Sequence, residues 1–161
     1  MRVFLASSMA GLTAAMAAGE VRAESGHAVT PTLREWYTEG DAEELEYVAS
    51  SAAAKASLRL LAHLEPASAY RRVVLAVDVP AASVHPMPEA GRSVVRLTEA
   101  VPWRLVASAL VDDAAAADDV RRGVDAVRSA TGDGVRDALE AVEDHELGWY
   151  AVQELAALVR P

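Results

Sequence analysis

The apolar positions of this chain run at two periods, and the switches between them mark its elements. Val3, Phe4 and Leu5 form a short apolar run, and the pattern predicts a strand over Arg2 to Ala6. Ser7 or Ser8 then supplies an N-cap for a helix from Met9 to Ala18, where Leu12 and Met16 share a face at i, i+4 spacing. Gly19 stands at the C′ position. A short strand is expected at His27 to Thr30. Thr30 is also placed to cap the next helix, with Pro31 at its first turn, where the missing N–H is not needed. Leu33, Trp36 and Tyr37 continue at helical spacing up to Gly40. Asp41 and Glu44 then make a capping-box variant that opens a helix to about His63. Its stripe is Leu45, Val48, Ala52, Ala56 and Leu60, reinforced by Ala49, Leu61 and Leu64, and Pro66 stops it.

From Arg71 to Val79 the period changes to two. Val73, Leu75 and Val77 alternate with Val74, Ala76 and Asp78, so both faces are largely apolar. That pattern predicts a central strand with Val73, Leu75 and Val77 buried. Pro80 ends it, and His85 to Pro88 reads as an irregular loop. Two further strands are expected at Ser93 to Glu99 and Val106 to Val111. Asp112 or Asp113 caps a helix to about Ala130 with Val120, Val124 and Val127 on one face. Residues 131–134 break the chain, and a last helical region covers Val135 to Val159. With no repeat, linker or boundary, the reading is a single compact α+β domain over residues 1–161, mainly helical from 113 onward. A small mixed sheet of about four to five strands would pack with about five helices.

Composition narrows the function classes. At 161 residues the chain is long enough for a core without staples, and it has no cysteine for disulfides, thiolate chemistry or Cys-type zinc. Hydrophobic residues make up 52%, but only 5% of the chain is aromatic, so alanine, valine and leucine must build a closely packed core. The net charge of −9 argues against nonspecific nucleic-acid binding, which needs a positive field. No apolar run reaches the roughly 18–20 residues of a membrane span. Residues 1–23 allow two readings: a secretory signal ending at Val21-Arg22-Ala23, or the strand, cap and helix described above. Ser7, Ser8, Gly11 and Thr13 interrupt the apolar run, which favours the second reading and a cytoplasmic protein that keeps its N-terminus.

Two stretches carry candidate chemistry: Thr30 to Tyr47 (TPTLREWYTEGDAEELEY) and Glu143 to Glu154 (EDHELGWYAVQE). Each joins acids to a Trp-Tyr pair. With the opening MRVFL and the strand RRVVLAVDVP, they resemble an uncharacterised family of small actinobacterial proteins known by a domain-of-unknown-function label. The resemblance spans nearly the full length and implies that the first strand belongs to the domain. It implies no activity. Where relatives have a proline-containing turn after that strand, this chain has Ser7, Ser8, Met9 and Ala10.

The candidate surface is Arg34, Glu35, Trp36, Tyr37, Asp41 and Glu44 with Asp144, His145, Glu146, Trp149 and Tyr150. The rings are read first as core anchors and second as a binding patch, since Trp, Tyr and Arg dominate interface hot spots. The two stretches are expected to lie side by side, with Trp36 and Trp149 in one core region. Glu35, Asp41, Glu44, Asp144 and Glu146 would then form a negative rim for a basic partner or a cation.

Glu43 with Glu46, and Glu140 with Glu143 or Asp144, have helical ligand spacing, but a solvated acidic face explains them as well. His145 lacks an accompanying nucleophile. The element layout also resembles small ADP-ribosyltransferase-like domains, which implies Arg2, Thr30 and Glu99 as the matching positions, by fold analogy alone. The reading is therefore a protein-binding or regulatory module without a cofactor, and the alternative is a small ADP-ribosyltransferase-like or carboxylate-metal enzyme.

Overall fold

The computed structural model describes residues 1–64, 69–129 and 134–160. Strand β1 (Arg2–Ser7) runs into helix α1 (Met9–Ala18), where Ser8 Oγ accepts the Gly11 N–H at 3.0 Å. Gly19 closes the helix at φ 73°, a left-handed conformation that costs glycine least. The short β2 (Glu20–Val21), β3 (Ser25–Ala28), α2 (Pro31–Trp36) and α3 (Ala42–His63) follow. Thr30 and the Asp41–Glu44 capping box open α2 and α3 as their sequences require. Then come β4 (Val73–Asp78), β5 (Val84–Pro86), β6 (Val94–Leu97), β7 (Val101–Pro102) and β8 (Val106–Val111). The chain ends in α4 (Ala117–Ser129), α5 (Val135–Glu143), β9 (Gly148–Ala151) and α6 (Val152–Leu158).

Among the described residues the main sheet has seven strands in the order β5-β6-β3-β1-β4-β8-β9, and β2 pairs separately with β7. Every pairing is antiparallel, so the expected mixed sheet of four to five strands is corrected on both counts. The extra strands come from two places. Residues 84–86, which enter the loop expected over 85–88, pair with β6 at one edge. Residues 148–151, expected as helix, pair with β8 at the other. Leu147, Tyr150, Ala151, Leu155 and Leu158 happen to recur at helical spacing, which hid a four-residue strand inside a helical pattern. Strand β3 also begins and ends earlier than expected, leaving Thr30 free to cap. Pro66, the expected helix end at Ala130 and the 131–133 part of the expected break lie outside the described residues.

The sheet is covered on both faces. Val3, Leu5, Val73, Leu75, Val77, Ala109 and Val111 form one core with Leu12 and Ala15 of α1 and Leu155 of α6. Across the sheet, Phe4, Val74 and Ala76 meet Ala49, Ala53 and Ala54 of α3. Small side chains here let the helix lie close to the strands, which is where the alanine content is used. Ser57 of α3 fixes the contact: its hydroxyl donates to Ser7 O at 2.7 Å and accepts the Val73 N–H at 3.0 Å. Beyond it, Leu58 and Leu61 pack with Val120 and Val124 of α4 and Val142 of α5. Gly123 permits this approach, since a Cβ there would sit 2.7 Å from Val142 Cγ2.

Candidate functional site

Helix α3 lies over β1, β3 and β4 but leaves the β8–β9 end of the same face open. Directly opposed residues of an antiparallel pair point to one face. Val74 opposes Leu110, and Leu110 opposes Trp149, so both Leu110 and Trp149 face the α3 side. A cleft of about 430 Å³ lies here. Tyr47, Ser50, Ser51, Ala54 and Lys55 of α3 form one wall, and Leu110, Leu147, His145, Glu143 and Glu146 form the other, with Arg72 at its base. Tyr47 is also shared by a second, more open groove of about 810 Å³, lined by Tyr37, Glu43, Glu44 and Val48. The ring of Tyr47 is thus a ridge between two depressions, and the residue is 65% exposed.

The base of the cleft is a buried ion pair. Arg72 is 3% exposed and Asp112 is 0% exposed. Asp112 Oδ2 accepts from the Arg72 backbone N–H at 2.8 Å and from Nε at 2.9 Å, while Oδ1 accepts from Nη2 at 2.8 Å. Arg72 Nη2 also donates to His145 O at 2.8 Å, which ties the segment before β9 to the sheet. The His145 ring pairs through Nε2 with Asp119 at 2.8 Å. That bond, assisted by Arg122, holds the Asp119 carboxyl below its ordinary range. Lys55 Nζ meets Glu143 Oε1 at 3.1 Å across the mouth.

The two tryptophans do not converge. Trp36, at the end of α2, is 61% exposed, and the Arg92 guanidinium lies 3.5 Å from its ring centroid. Arg92 leads into β6, five strand positions from β9, and each spacing is about 4.8 Å. Trp149 is 64% exposed on the far edge. Neither ring anchors the core, which corrects the expectation of a common core region and a single acidic rim. Tyr150 opposes Ala109 and packs on the opposite face of the sheet, because adjacent strand residues alternate. Arg34, Glu35 and Asp144 are exposed away from the cleft lining, and Asp41 serves as a cap. Tyr37 and Glu44 line the open groove, whereas His145 and Glu146 line the cleft. The stretches therefore meet through α3 and Tyr47 instead of through their tryptophans.

Arg2, Thr30 and Glu99 do not share a site. Arg2 is paired with Asp78 at 2.7 Å, and Thr30 is a buried cap that donates to Arg92 O. Glu99 follows β6 at the opposite end of the strands, because Ser25 opposes Arg96 and His27 opposes Val94. Among the described residues no group of three His, Cys, Asp or Glu side chains is placed to hold a metal, and no helix is long and apolar enough to cross a membrane. Arg72, Lys55 and Leu110 carry no signal of their own in the sequence, and Asp112 reads there only as a possible helix cap, a role that Asp113 takes. The available signal was an Arg-Arg pair before one apolar strand and an Asp-Asp pair after another, which become neighbours only once β4 and β8 are paired.

The geometry defines an antiparallel α+β domain with an open, aromatic-rimmed cleft on one sheet face. The model of a family of unknown function (DUF6912) matches residues 1–159, and the chain belongs to that family. No curated protein and no solved structure matches it.

Proposed function

We propose that this domain is a protein-binding module that takes a basic segment of a partner across the Tyr47 ridge. The observation that carries the reading is Tyr47 itself, an exposed ring between two depressions with Glu43 and Glu44 on one side and Glu143 and Glu146 on the other. Exposed tyrosine and tryptophan rings supply contact area at low entropic cost, and Trp149 extends the apolar surface past Leu110. The overall charge of −9 steers cations toward such a face. A photoreactive residue at position 47 should crosslink to a Lys/Arg-rich segment of a partner. That crosslink should weaken with salt and disappear in Glu143→Lys/Glu146→Lys. Crosslinking only to acidic segments, or indifference to both charge reversals, overturns the reading.

The module also works as a protein that keeps residues 1–23. Strand β1 is paired on both sides, so cleavage after Ala23 would remove an inner strand together with α1. Intact mass of the protein isolated from its native cells should include the β1 residues, and a mature start at Glu24 ends this part of the proposal.

A further inference from the structure

The buried arginine at the base of the cleft has donors to spare. Arg72 spends Nε on Asp112 and both hydrogens of Nη2 on Asp112 and His145 O. Its third nitrogen, Nη1, makes no hydrogen bond among the described residues. No side-chain nitrogen or oxygen that is shut off from solvent lacks a partner among those residues. Nη1 is therefore reached by solvent even though Arg72 is only 3% exposed, and the cleft that Arg72 lines is the opening in front of it. A guanidinium fixed by three bonds and presenting one edge to a cleft is a preorganised donor.

The surroundings decide which acceptor it suits. Asp112 already matches the charge of Arg72, and Lys55 is engaged with Glu143. A carboxylate entering here would bring an unmatched negative charge toward Glu143 and Glu146, whereas a neutral carbonyl would not. Leu110, Leu147 and Ala54 supply apolar walls beside the donor. From this we infer that the cleft is an amide-carbonyl subsite: Arg72 Nη1 donates to a main-chain or Asn/Gln carbonyl of the bound segment, whose neighbouring cation meets Glu146. The inference rests on the basic-segment reading and names the chemistry that anchors that segment.

The test is a chemical-shift titration of the full chain with three probes: N-acetyl-arginine methylamide, N-acetyl-alanine methylamide and acetate. Both amides should shift the Arg72 Nε–H and the Leu110 and Leu147 methyl signals, and the arginine probe should also shift Glu146. Acetate should leave Arg72 unmoved. Ser51→Leu fills the cleft from the α3 wall and should weaken the response at its base roughly tenfold while the arginine probe still shifts the rim. Leu147→Phe, which narrows the opposite wall, should do the same and serves if the first variant does not fold. Shifts confined to the rim overturn the amide subsite and leave the basic-segment reading standing. Acetate acting at Arg72 more strongly than the amides overturns the subsite in favour of a carboxylate site. No response to any probe overturns both.

Discussion

The two Trp-Tyr pairs put their tryptophans in solvent to nearly the same extent, yet they are held by different means. Trp36 and Tyr37 close a six-residue helix whose start is fixed by the Thr30 hydroxyl and whose end rests on an Arg92–Trp36 stack. Trp149 and Tyr150 lie on an edge strand, with Tyr150 against the core and the preceding His145 carbonyl bonded to a buried guanidinium. Identical dipeptides thus take their conformation from flanking residues. Pro31 and Thr30 set a helix in one case, and Gly148 paired opposite Val111 sets a strand in the other. The first is anchored by local bonds at the surface and the second by a charge pair in the interior. A disturbance that reaches one should spare the other.

The largest expected effect is on the second pair. Asp112→Ala leaves Arg72 as an uncompensated buried charge, and breaking a buried pair in this way costs about 3–5 kcal/mol. Urea denaturation should show that loss, and the His145 to Ala151 amides should exchange faster than those of α2. A loss under about 0.5 kcal/mol, the level of an ordinary surface change, would show that the pair holds nothing. The counterpart on the first pair is Thr30→Ala. It removes the acceptor for the Leu33 N–H, at 3.1 Å, and should cost about 1 kcal/mol, as loss of a helix cap does. Protection of residues 31–37 should fall while that of 148–151 is unchanged.

The same contrast explains how far the sequence could be read. The caps at Ser8, Thr30 and Asp41 and the left-handed Gly19 are local signals, and each helix starts where its cap places it, although α2 ends at Trp36 instead of running on toward Gly40. The buried Val73, Leu75 and Val77 follow from period-two alternation, which is equally local. What was not legible depends on pairing between distant segments. Strand β9 exists because β8 offers it an edge, and the Arg72–Asp112 bond exists because β4 and β8 are neighbours 40 residues apart in sequence. The cleft inherits that difficulty. Tyr47 belongs to a stretch that stood out for its acids and rings, but the opposing Leu110 and the arginine at the base gave no local sign.

A smaller effect separates the ring from its anchor. Arg92→Ala removes a cation stacked on an exposed Trp36, an interaction worth about 0.5–1 kcal/mol at such a site. Tryptophan fluorescence should shift to longer wavelength as Trp36 gains water, while global stability changes little. Trp149 has no such partner among the described residues, so its contribution to the spectrum should stay as it is. An unchanged spectrum would mean that the stack is not kept in solution.

The smallest and most selective disturbance is pH, because the first pair stands beside a histidine that burial holds away from its proton. His27 on β3 pairs through Nδ1 with the Ser93 hydroxyl at 2.9 Å, next to Arg92 in the chain. Burial pushes His27 below its ordinary value of 6.5, and the Arg59 charge adds to that. The unfolded chain then binds this proton more readily than the folded one, so stability must rise with pH across this range. The contribution is complete above 6.5 and is lost progressively as pH falls through that value toward the folded pKa. The Asp119 carboxyl near the second pair titrates in another range. The Asp119 carboxyl, held low by His145, gives up its contribution only as pH falls below the ordinary carboxylate value of 3.8 toward its own lower pKa. As pH falls from about 7.5 to about 5.5, amide protection, corrected for the slower base-catalysed intrinsic exchange, should therefore drop in β3 and in residues 30–37 but not in 148–151. His27→Gln, which cannot titrate, should remove the difference. An equal drop in protection in both regions, or a pH response that survives in the variant, would show that the two pairs share one anchor after all.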